Sequence, residues 1–338
     1  MKRPITMSEI ARIAGVNEST VSRALNDSEL VSEATRSRIH AIAREHGYTI
    51  NATARSLRTQ TTSTLGLVIP LSSDDEQTVS DPFFLQIIGS VCEAAAAHGY
   101  DVIVSSPENA EELSRNRLMA TGRADGQVII GQTERHDVLN ALSEAGAPII
   151  VWGGQLEGQH YATVGCDNVA GGEMAGEHLV KLGRKRILYL GDIELPEVKL
   201  RYRGFLNALE REGLKHDPDL LMVTDFAGDN AFRMIKEAMS DGLEFDAVCA
   251  ASDLLALSAV RALADMNVHI PEDVSIVGFD DIAMASMVSP PLTTVSQDIA
   301  TGGRRLVELL MDRMAGREIS SELTDTKLVI RKSCGGGG

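Results

Sequence analysis

The sequence predicts a small all-α head followed by a larger α/β core, and three observations favour this fold class. The stretch SEIARIAGVNESTVSRALN, residues 8–26, has the pattern of two short helices around a glycine turn. From residue 65 onward, short apolar runs alternate with amphipathic helices, which is typical of parallel sheets covered by helices. The charge divides at the same place: residues 1–60 carry nine Lys and Arg against six Asp and Glu, or +3, whereas the whole chain of 338 residues carries −16.

The division of charge bears on partners and location. A basic head suits contact with a polyanion, and a core of net charge −19 favours solubility and discourages non-specific adhesion to nucleic acid. The four cysteines are scattered without a CxxC pair, which indicates reduced thiols and predicts no metal site. No apolar run reaches membrane-spanning length and no signal-peptide core is visible, so we expect a cytoplasmic protein without a cofactor.

The head, residues 1–50, is expected to contain three helices. The first covers residues 7–14 and ends at Gly15, a residue suited to left-handed turn geometry. The second covers residues 18–25 with Asn17 as its cap. The third begins at the cap Ser32 and stops at Gly47. It is expected to bury Ile39, Ile42 and Ala43.

The second helix has two different faces. Val21 and Leu25 share the inward side, and a narrow polar stripe lies opposite them. The stripe consists of Ser19, Ser22, Arg23 and Asn26. This arrangement predicts a DNA-reading helix-turn-helix, and the alternative is a helical bundle whose polar stripe is merely solvated.

The joining segment, residues 51–64, predicts a short helix. A helix of about two turns is not stable alone, so the segment is expected to be coil until DNA holds it. Arg55 would then contact phosphates and Leu57 would wedge between bases in the minor groove. An ordinary flexible linker is the alternative.

The core, residues 65–333, contains eight strand candidates and several clear helices. The predicted strands are 65–71, 101–106, 126–131, 148–152, 186–191, 221–224, 246–250 and 274–279. The predicted helices include 82–98, capped by Asp81, 168–182 and 253–265. About nine strand–helix units exceed one small open sheet, which indicates two doubly wound parallel-sheet subdomains. Residues 334–338 are expected to be a flexible tail.

Several quoted segments occur in the order and spacing of one family. They are MSEIARIAGVNESTVSRALN, VSEATRSRIHAIAREHGY, NATARSLRTQTTSTLGLVIP, DPFFLQIIGSV, DNVAGGEMAGEHLVKLGRKRILYLG, VSIVGFDDI and PPLTTVSQD. From about residue 5 to 333 the chain resembles the LacI/GalR (lactose-repressor) family of bacterial transcriptional regulators. The resemblance implies a homodimer whose heads read a pseudo-palindromic operator through hinge helices folded on the minor groove. It also implies a periplasmic-binding-protein-like core, with the chain crossing between subdomains near residues 162, 290 and 323.

The resemblance assigns roles to head and hinge residues. Glu18 and Ser19 match variable positions that set operator preference, and Arg23 matches an arginine whose geometry suits guanine O6 and N7. Glu18 would accept from a cytosine amine or repel wrong sites. Thr20, Ser22 and Asn26 are expected to position the helix on the backbone. The full predicted DNA-binding set is Thr6, Asn17, Glu18, Ser19, Thr20, Ser22, Arg23, Asn26, Asn51, Ala54, Arg55 and Leu57.

The same resemblance places an effector between the subdomains. Arg201, Ser252 and Asp280 match effector-binding positions, and a carboxylate with a guanidinium suits a polyhydroxyl ligand. Trp152 would offer a flat face to a sugar ring, with Phe83 and Phe84 as an apolar wall. Asp253 is also placed in the effector-binding set, although its main expected role is to cap its helix. The predicted effector-binding set is Phe84, Trp152, Arg201, Ser252, Asp253 and Asp280.

Each of these side chains has a simpler interpretation. Asp280 could cap a turn, Arg201 could be a solvated or dimer-interface charge, and Trp152 could be ordinary core. The sequence departs from the family at two positions of the effector site. Ser252 stands where many sugar-binding members have a longer amide, and Gly153 leaves bare a position that others fill with a polar side chain.

The prediction is a sugar-controlled repressor of carbohydrate-utilisation genes. The rival interpretations are a global regulator controlled by a protein co-regulator and a solute-binding protein for transport. No nucleotide-binding, metalloprotease or serine-hydrolase motif is found, so no enzyme is expected; GGEMAG, residues 171–176, is interpreted as helix packing. No leucine heptads precede the final glycines, which predicts dimers.

Overall fold

The computed structural model describes residues 5–25, 27–48, 61–71, 77–132 and 136–335. The chain divides into two units, residues 1–62 and residues 63–338. Each is built differently: the first is all-α and the second is α/β. The fold class predicted from the sequence is therefore confirmed.

The first unit is a three-helix head. Helices α1 (Met7–Ala14), α2 (Glu18–Leu25) and α3 (Glu33–Glu45) pack around a small apolar core. The most buried side chains of this core are Ile10, Val21, Ala24 and Ile39. Gly15, with φ of +65°, supplies the left-handed turn between α1 and α2 that the sequence predicts.

The third helix differs in detail from its prediction. Its N-cap residue is Ser32, but the hydroxyl of Ser32 bonds the Thr35 hydroxyl rather than a backbone N–H. Ile42 is only half-buried, whereas Ile39 and Ala43 lie in the core as expected. The helix ends at Glu45, two residues before Gly47.

The second unit contains two six-stranded sheets. The first sheet consists of β1 (Thr64–Val68), β2 (Asp101–Ser105), β3 (Gly126–Ile130), β4 (Ile149–Trp152), β5 (Thr163–Gly165) and β11 (Glu322–Leu323). The second consists of β6 (Ile187–Leu190), β7 (Leu221–Met222), β8 (Ala247–Ala250), β9 (Ser275–Asp280), β10 (Thr293–Ser296) and β12 (Lys327–Val329). The first has the order β11-β5-β4-β3-β1-β2 and the second β12-β10-β9-β8-β6-β7. Among the described strands, every pair is parallel except β10 with β12.

Nine α-helices are described in this unit. They are α4 (Pro82–Ala97), α5 (Ala110–Ser114), α6 (Arg117–Ala120), α7 (His136–Glu144), α8 (Asn168–Lys181), α9 (Pro196–Arg211), α10 (Gly228–Ser240), α11 (Asp253–Asp265) and α12 (Ile299–Met314). Short 3₁₀ turns cover Pro218–Leu220 and Ala283–Ser286. Helices α4 and α12 pack on the first sheet, and α8, α9 and α11 pack on the second.

Four strands were absent from the prediction: β5, β10, β11 and β12. Three of them have only two or three residues, and β10 has the sequence TTVS, which shows no apolar run. Thr293 and Thr294 are nevertheless fully buried, because their hydroxyls bond other buried groups such as the Asp253 carboxylate. A pattern based on hydrophobicity cannot identify a strand whose buried side chains are satisfied polar groups.

The chain passes between the two sheets three times. The passages lie between β5 and α8, between β10 and α12, and between β11 and β12. The second passage comes several residues later than the expected position near 290, because residues 293–296 still belong to the second sheet.

Helices α8 and α9 approach backbone to backbone. A Cβ added at Gly172 would lie 2.0 Å from the Arg201 carbonyl oxygen, and one added at Gly204 would lie 2.0 Å from that of Val169. The segment GGEMAG therefore serves close helix packing, as interpreted from the sequence, and this contact fixes the stretch of α9 that carries Arg201.

Candidate functional site

A cavity of about 340 Å³ lies between the two sheets of the second unit. Its walls come from the carboxyl ends of strands in both sheets, where parallel α/β folds place ligands. Ile130 and Trp152 end strands of the first sheet; Ser252 and Asp280 lie at strand ends of the second. The volume is at the small end of the range for ligand pockets.

Arg201 projects from α9 into the wall of this cavity and is only 7% exposed. Its Nε donates to the Asn168 Oδ1 at 2.8 Å, and its Nη1 donates to the Ala251 carbonyl at 2.6 Å. The guanidinium stacks 3.9 Å from the centre of the Phe279 ring. The structure therefore shows a buried, oriented side chain rather than the solvated charge that the sequence left open.

Asp280 ends β9 and faces Arg201. Its Oδ1 lies 3.7 Å from the Arg201 Nη1 and accepts a hydrogen bond from the Gln297 Nε2 at 2.6 Å. Burial raises the pKa of Asp280 from its ordinary value of 3.8 to about 7, although Arg201 opposes the shift. The backbone φ of +120° is unusual for a residue with a side chain, and such strain tends to occur where a side chain must be aimed at a ligand.

Aromatic side chains form one wall of the cavity. Phe84 is buried and Phe83 is half-buried, and the centre of the Phe83 ring lies 6.1 Å from that of Trp152. Trp152 is 4% exposed and its outer ring edge packs over Gly302 of α12. Trp152 is therefore both core and cavity lining, which unites the two interpretations made from the sequence.

Ser252 takes the helix-capping role that was expected of its neighbour Asp253. Ser252 lines the cavity, and its Oγ caps α11 by accepting from the Leu255 N–H. The assignment of Asp253 as the helix cap is wrong, because Ser252 holds that position. The fully buried carboxylate of Asp253 accepts from the Ile282 N–H and the Thr294 hydroxyl, and Asp253 is not among the residues that line the cavity. Asp253 lies behind the cavity and holds the loop after β9 in place.

Gln132 fills the space left by Gly153. A Cβ on Gly153 would lie 2.6 Å from the Gln132 side chain. The Gln132 amide accepts from the Gly154 N–H and donates to the Gly154 carbonyl, both at 2.9 Å, and also donates to the Tyr161 hydroxyl. The polar group missing at residue 153 thus comes from the end of β3.

Other lining residues were missed by sequence reasoning. Glu197 precedes Arg201 by one helical turn, a spacing that could have identified it. Gln297 lies in the quoted segment PPLTTVSQD, and Asp81 was recognised only as a cap, a role it does fulfil by accepting from the Phe83 N–H. Their convergence on one cavity depends on tertiary structure.

In the head, Asn17 organises the start of α2. Its Oδ1 accepts from the Thr20 N–H at 2.8 Å and from the hydroxyls of Ser19 and Thr20. Ser19 and Arg23 are exposed along the outer face of this helix, as the polar stripe predicts, and Glu18 is exposed as well.

Thr6 has a structural partner. Its Oγ1 accepts from the Glu9 N–H, and its own N–H donates to the Glu9 carboxylate, which completes a capping box at the start of α1. Ser22 is half-buried on α2. The predicted DNA contacts at Asn26, Asn51, Ala54, Arg55 and Leu57 lie outside the described residues.

Comparison with known proteins identifies the family. A model of bacterial regulatory proteins of the lacI family matches residues 6–51, and a periplasmic binding protein-like domain matches residues 177–334. The transcriptional regulator CelR of Thermobifida fusca is 33% identical over 339 residues, covering 98% of each chain. The chain belongs to the LacI family.

Further LacI-family proteins support the same assignment. The repressor CytR of Escherichia coli K12 is 32% identical, covering 97% of this chain and 96% of its own. The Lac repressor dimer bound to operator and an anti-inducer superposes with a TM-score of 0.86 at 26% identity, covering 98% and 99% of the two chains. A CelR–cellobiose complex gives a TM-score of 0.70 at 30% identity, covering 97% and 99%.

The protein is thus a LacI-family transcriptional regulator with a helix-turn-helix head and an α/β core. Its named relatives are regulators rather than enzymes. In the described parts of the chain, no helix has the length and apolarity needed to cross a bilayer. The described residues also contain no cluster of His, Cys, Asp and Glu able to hold a metal ion.

Proposed function

We propose that this protein is a homodimeric repressor whose operator binding is controlled by a sugar held between the two sheets of the core. The observation that carries the proposal is the buried Arg201–Asp280 pair in the wall of the cavity. Burying two charges is costly unless they are well paired, and a cavity that retains them is suited to polar ligands. The aromatic wall beside this pair gives the site the two surfaces that a sugar ring needs.

A thermal-shift screen of the protein against neutral sugars, sugar phosphates and sugar acids tests the ligand class. A ligand that binds the folded state raises the melting temperature by linkage. We expect a sugar to do so and Asp280→Asn to abolish the shift. Asp281→Asn is the matched control, since this neighbouring carboxylate pairs with Arg331. A screen without a hit, or a shift that survives in Asp280→Asn, would contradict the proposal.

The head is proposed to read operator bases through α2. Arg23→Ala should weaken binding to an operator selected from random DNA by about 1–3 kcal/mol, because a bidentate contact to guanine is lost, and should relax preference at that base. Arg44→Ala, near the end of α3, should preserve the ratio of selected to scrambled affinity. If Arg23→Ala lost the same affinity for selected and for scrambled DNA, Arg23 would not be a base-reading residue.

The homodimer is supported by exposed apolar side chains. Met284 and Met287 lie within and just after one short 3₁₀ turn and are 44% and 78% exposed. A contiguous exposed apolar surface commonly marks an interaction site, and these two methionines lie only three residues apart. Sedimentation equilibrium should give twice the chain mass, and a monomer at micromolar concentration would contradict this part of the proposal.

A further inference from the structure

The cavity is lined by far more acidic than basic groups. Among the described residues, five carboxylates and one guanidinium line it: Asp81, Glu108, Asp192, Glu197 and Asp280, with Arg201. A ligand entering this cavity therefore meets more carboxyl groups than cations, and the potential becomes more negative as the pH rises past the raised pKa values of Asp280 and Glu197.

The arginine is already engaged. Its Nε and Nη1 donate to Asn168 and Ala251, its charge faces Asp280, and its flat side lies on Phe279. A phosphate or carboxylate bound by Arg201 would have to use its Nη2 group and would compete with Asp280 for the same positive charge. The described lining residues offer an anion no second basic side chain.

Glu197 places a carboxylate where the cavity walls contributed by the two subdomains meet. It lies on α9 of the second subdomain, yet its Oε1 accepts from the backbone N–H of Gln132, at the end of β3 in the first, at 3.2 Å. Burial raises the pKa of Glu197. A ligand that contacts both walls must pass close to this group.

We infer that the cavity selects an uncharged saccharide over its phosphorylated or carboxylated counterparts, and that Glu197 is a specificity-determining residue for this choice. The inference rests on the proposed function of the cavity as the effector site and narrows its ligand class. Each carboxylate can accept two sugar hydroxyls, and Phe83 and Trp152 can cover a ring face. An added phosphate or carboxylate would be repelled without a compensating cation.

Direct calorimetric titration tests whether the cavity binds uncharged saccharides more tightly than anionic ones. Glucose is compared with glucose 6-phosphate and glucuronate, and cellobiose with cellobionate. Each further neutral saccharide that raises the melting temperature is compared with its own phosphate. We expect binding of a neutral member and at least about tenfold weaker binding of its anionic counterparts. Tighter binding of an anionic sugar, or no binding by any neutral saccharide in the set, would overturn the inference.

The variant Glu197→Gln tests whether Glu197 determines this selectivity. It keeps the side-chain length and one acceptor oxygen while removing the charge, so the ratio of neutral to anionic affinity should fall by about tenfold. Glu194→Gln is the matched control, because Glu194 is exposed just before α9 and does not line the cavity. An unchanged ratio in Glu197→Gln, or an equal fall in Glu194→Gln, would contradict the role of Glu197.

If Glu197→Gln does not fold, Asp192→Asn provides the same comparison. Asp192 lines the cavity and accepts from the Glu194 N–H, a bond that asparagine can also form. These titrations contain no DNA, so they report charge selectivity alone. Whether the bound saccharide controls operator binding is read separately from operator affinity, which distinguishes failure of the inference from failure of the proposed function.

Discussion

At the scale of single residues, Asp280 combines the most unusual features of the core. It is a carboxylate in the cavity wall, 6% exposed, with a strained backbone and a guanidinium opposite. Arg201 and Asp280 could be predicted because the resemblance to the family assigns them to effector-binding positions, and the helical spacing from Arg201 could have identified Glu197. Gln132 could not be predicted, because a side chain that replaces a neighbour across a sheet leaves no local pattern in the sequence.

The raised pKa of Asp280 predicts a pH-dependent stability. The pKa is about 7 in the folded protein against an ordinary 3.8, so between these values the folded state keeps a proton that the unfolded state has lost. The contribution of this group to the free energy of unfolding therefore falls as the pH rises from about 4 to 7. As the pH rises from 5 to 8, the melting temperature of Asp280→Asn should therefore fall by less than that of the wild type.

Thermal unfolding followed by circular dichroism at pH 5, 6.5 and 8 measures this difference. Asp281→Asn serves as control and should retain the wild-type slope, since it breaks an ion pair with Arg331 and leaves Asp280 in place. Parallel pH profiles for Asp280→Asn and the wild type would show that Asp280 does not titrate in this range.

At the scale of secondary-structure elements, the glycine contact between α8 and α9 links packing to the cavity. These helices touch through backbone atoms, so the position of Arg201 depends on the absence of a side chain at Gly172. Long helices with clear caps, such as α4 and α11, were predictable within a residue or so from local signals. The short strands β11 and β12 were not, because their pairing is decided by distant parts of the chain.

Gly172→Ala should destabilise the core and impair ligand binding together. The added methyl group would lie 2.0 Å from the Arg201 carbonyl oxygen, so α9 must shift; overpacking of this kind costs about 1–3 kcal/mol. Gly89→Ala is the control: Gly89 is an exposed position of α4 with nothing within 4 Å of the added Cβ, where alanine should stabilise by up to about 1 kcal/mol. Equal melting temperatures for Gly172→Ala and the wild type would contradict the packing argument.

At the scale of the whole molecule, the chain separates two tasks. The net charge of +3 on residues 1–60 favours contact with DNA, while the acidic remainder carries a cavity lined by carboxylates. The separation and the two-sheet architecture could be predicted from charge and strand–helix alternation. The excess of acidic over basic side chains in the cavity could not be predicted, since its five carboxylates are separated in the sequence and lie together only in the folded chain.

The central claim is that a saccharide in the core cavity changes operator affinity. Fluorescence anisotropy with a labelled, selected operator tests it most directly, in the presence and absence of the saccharide that binds the wild type. We predict a change of at least about fivefold in operator affinity, the lower end of typical allosteric coupling, and no change for Asp280→Asn measured against its own saccharide-free value. An operator affinity that stays constant while the saccharide saturates the wild-type protein would contradict the account.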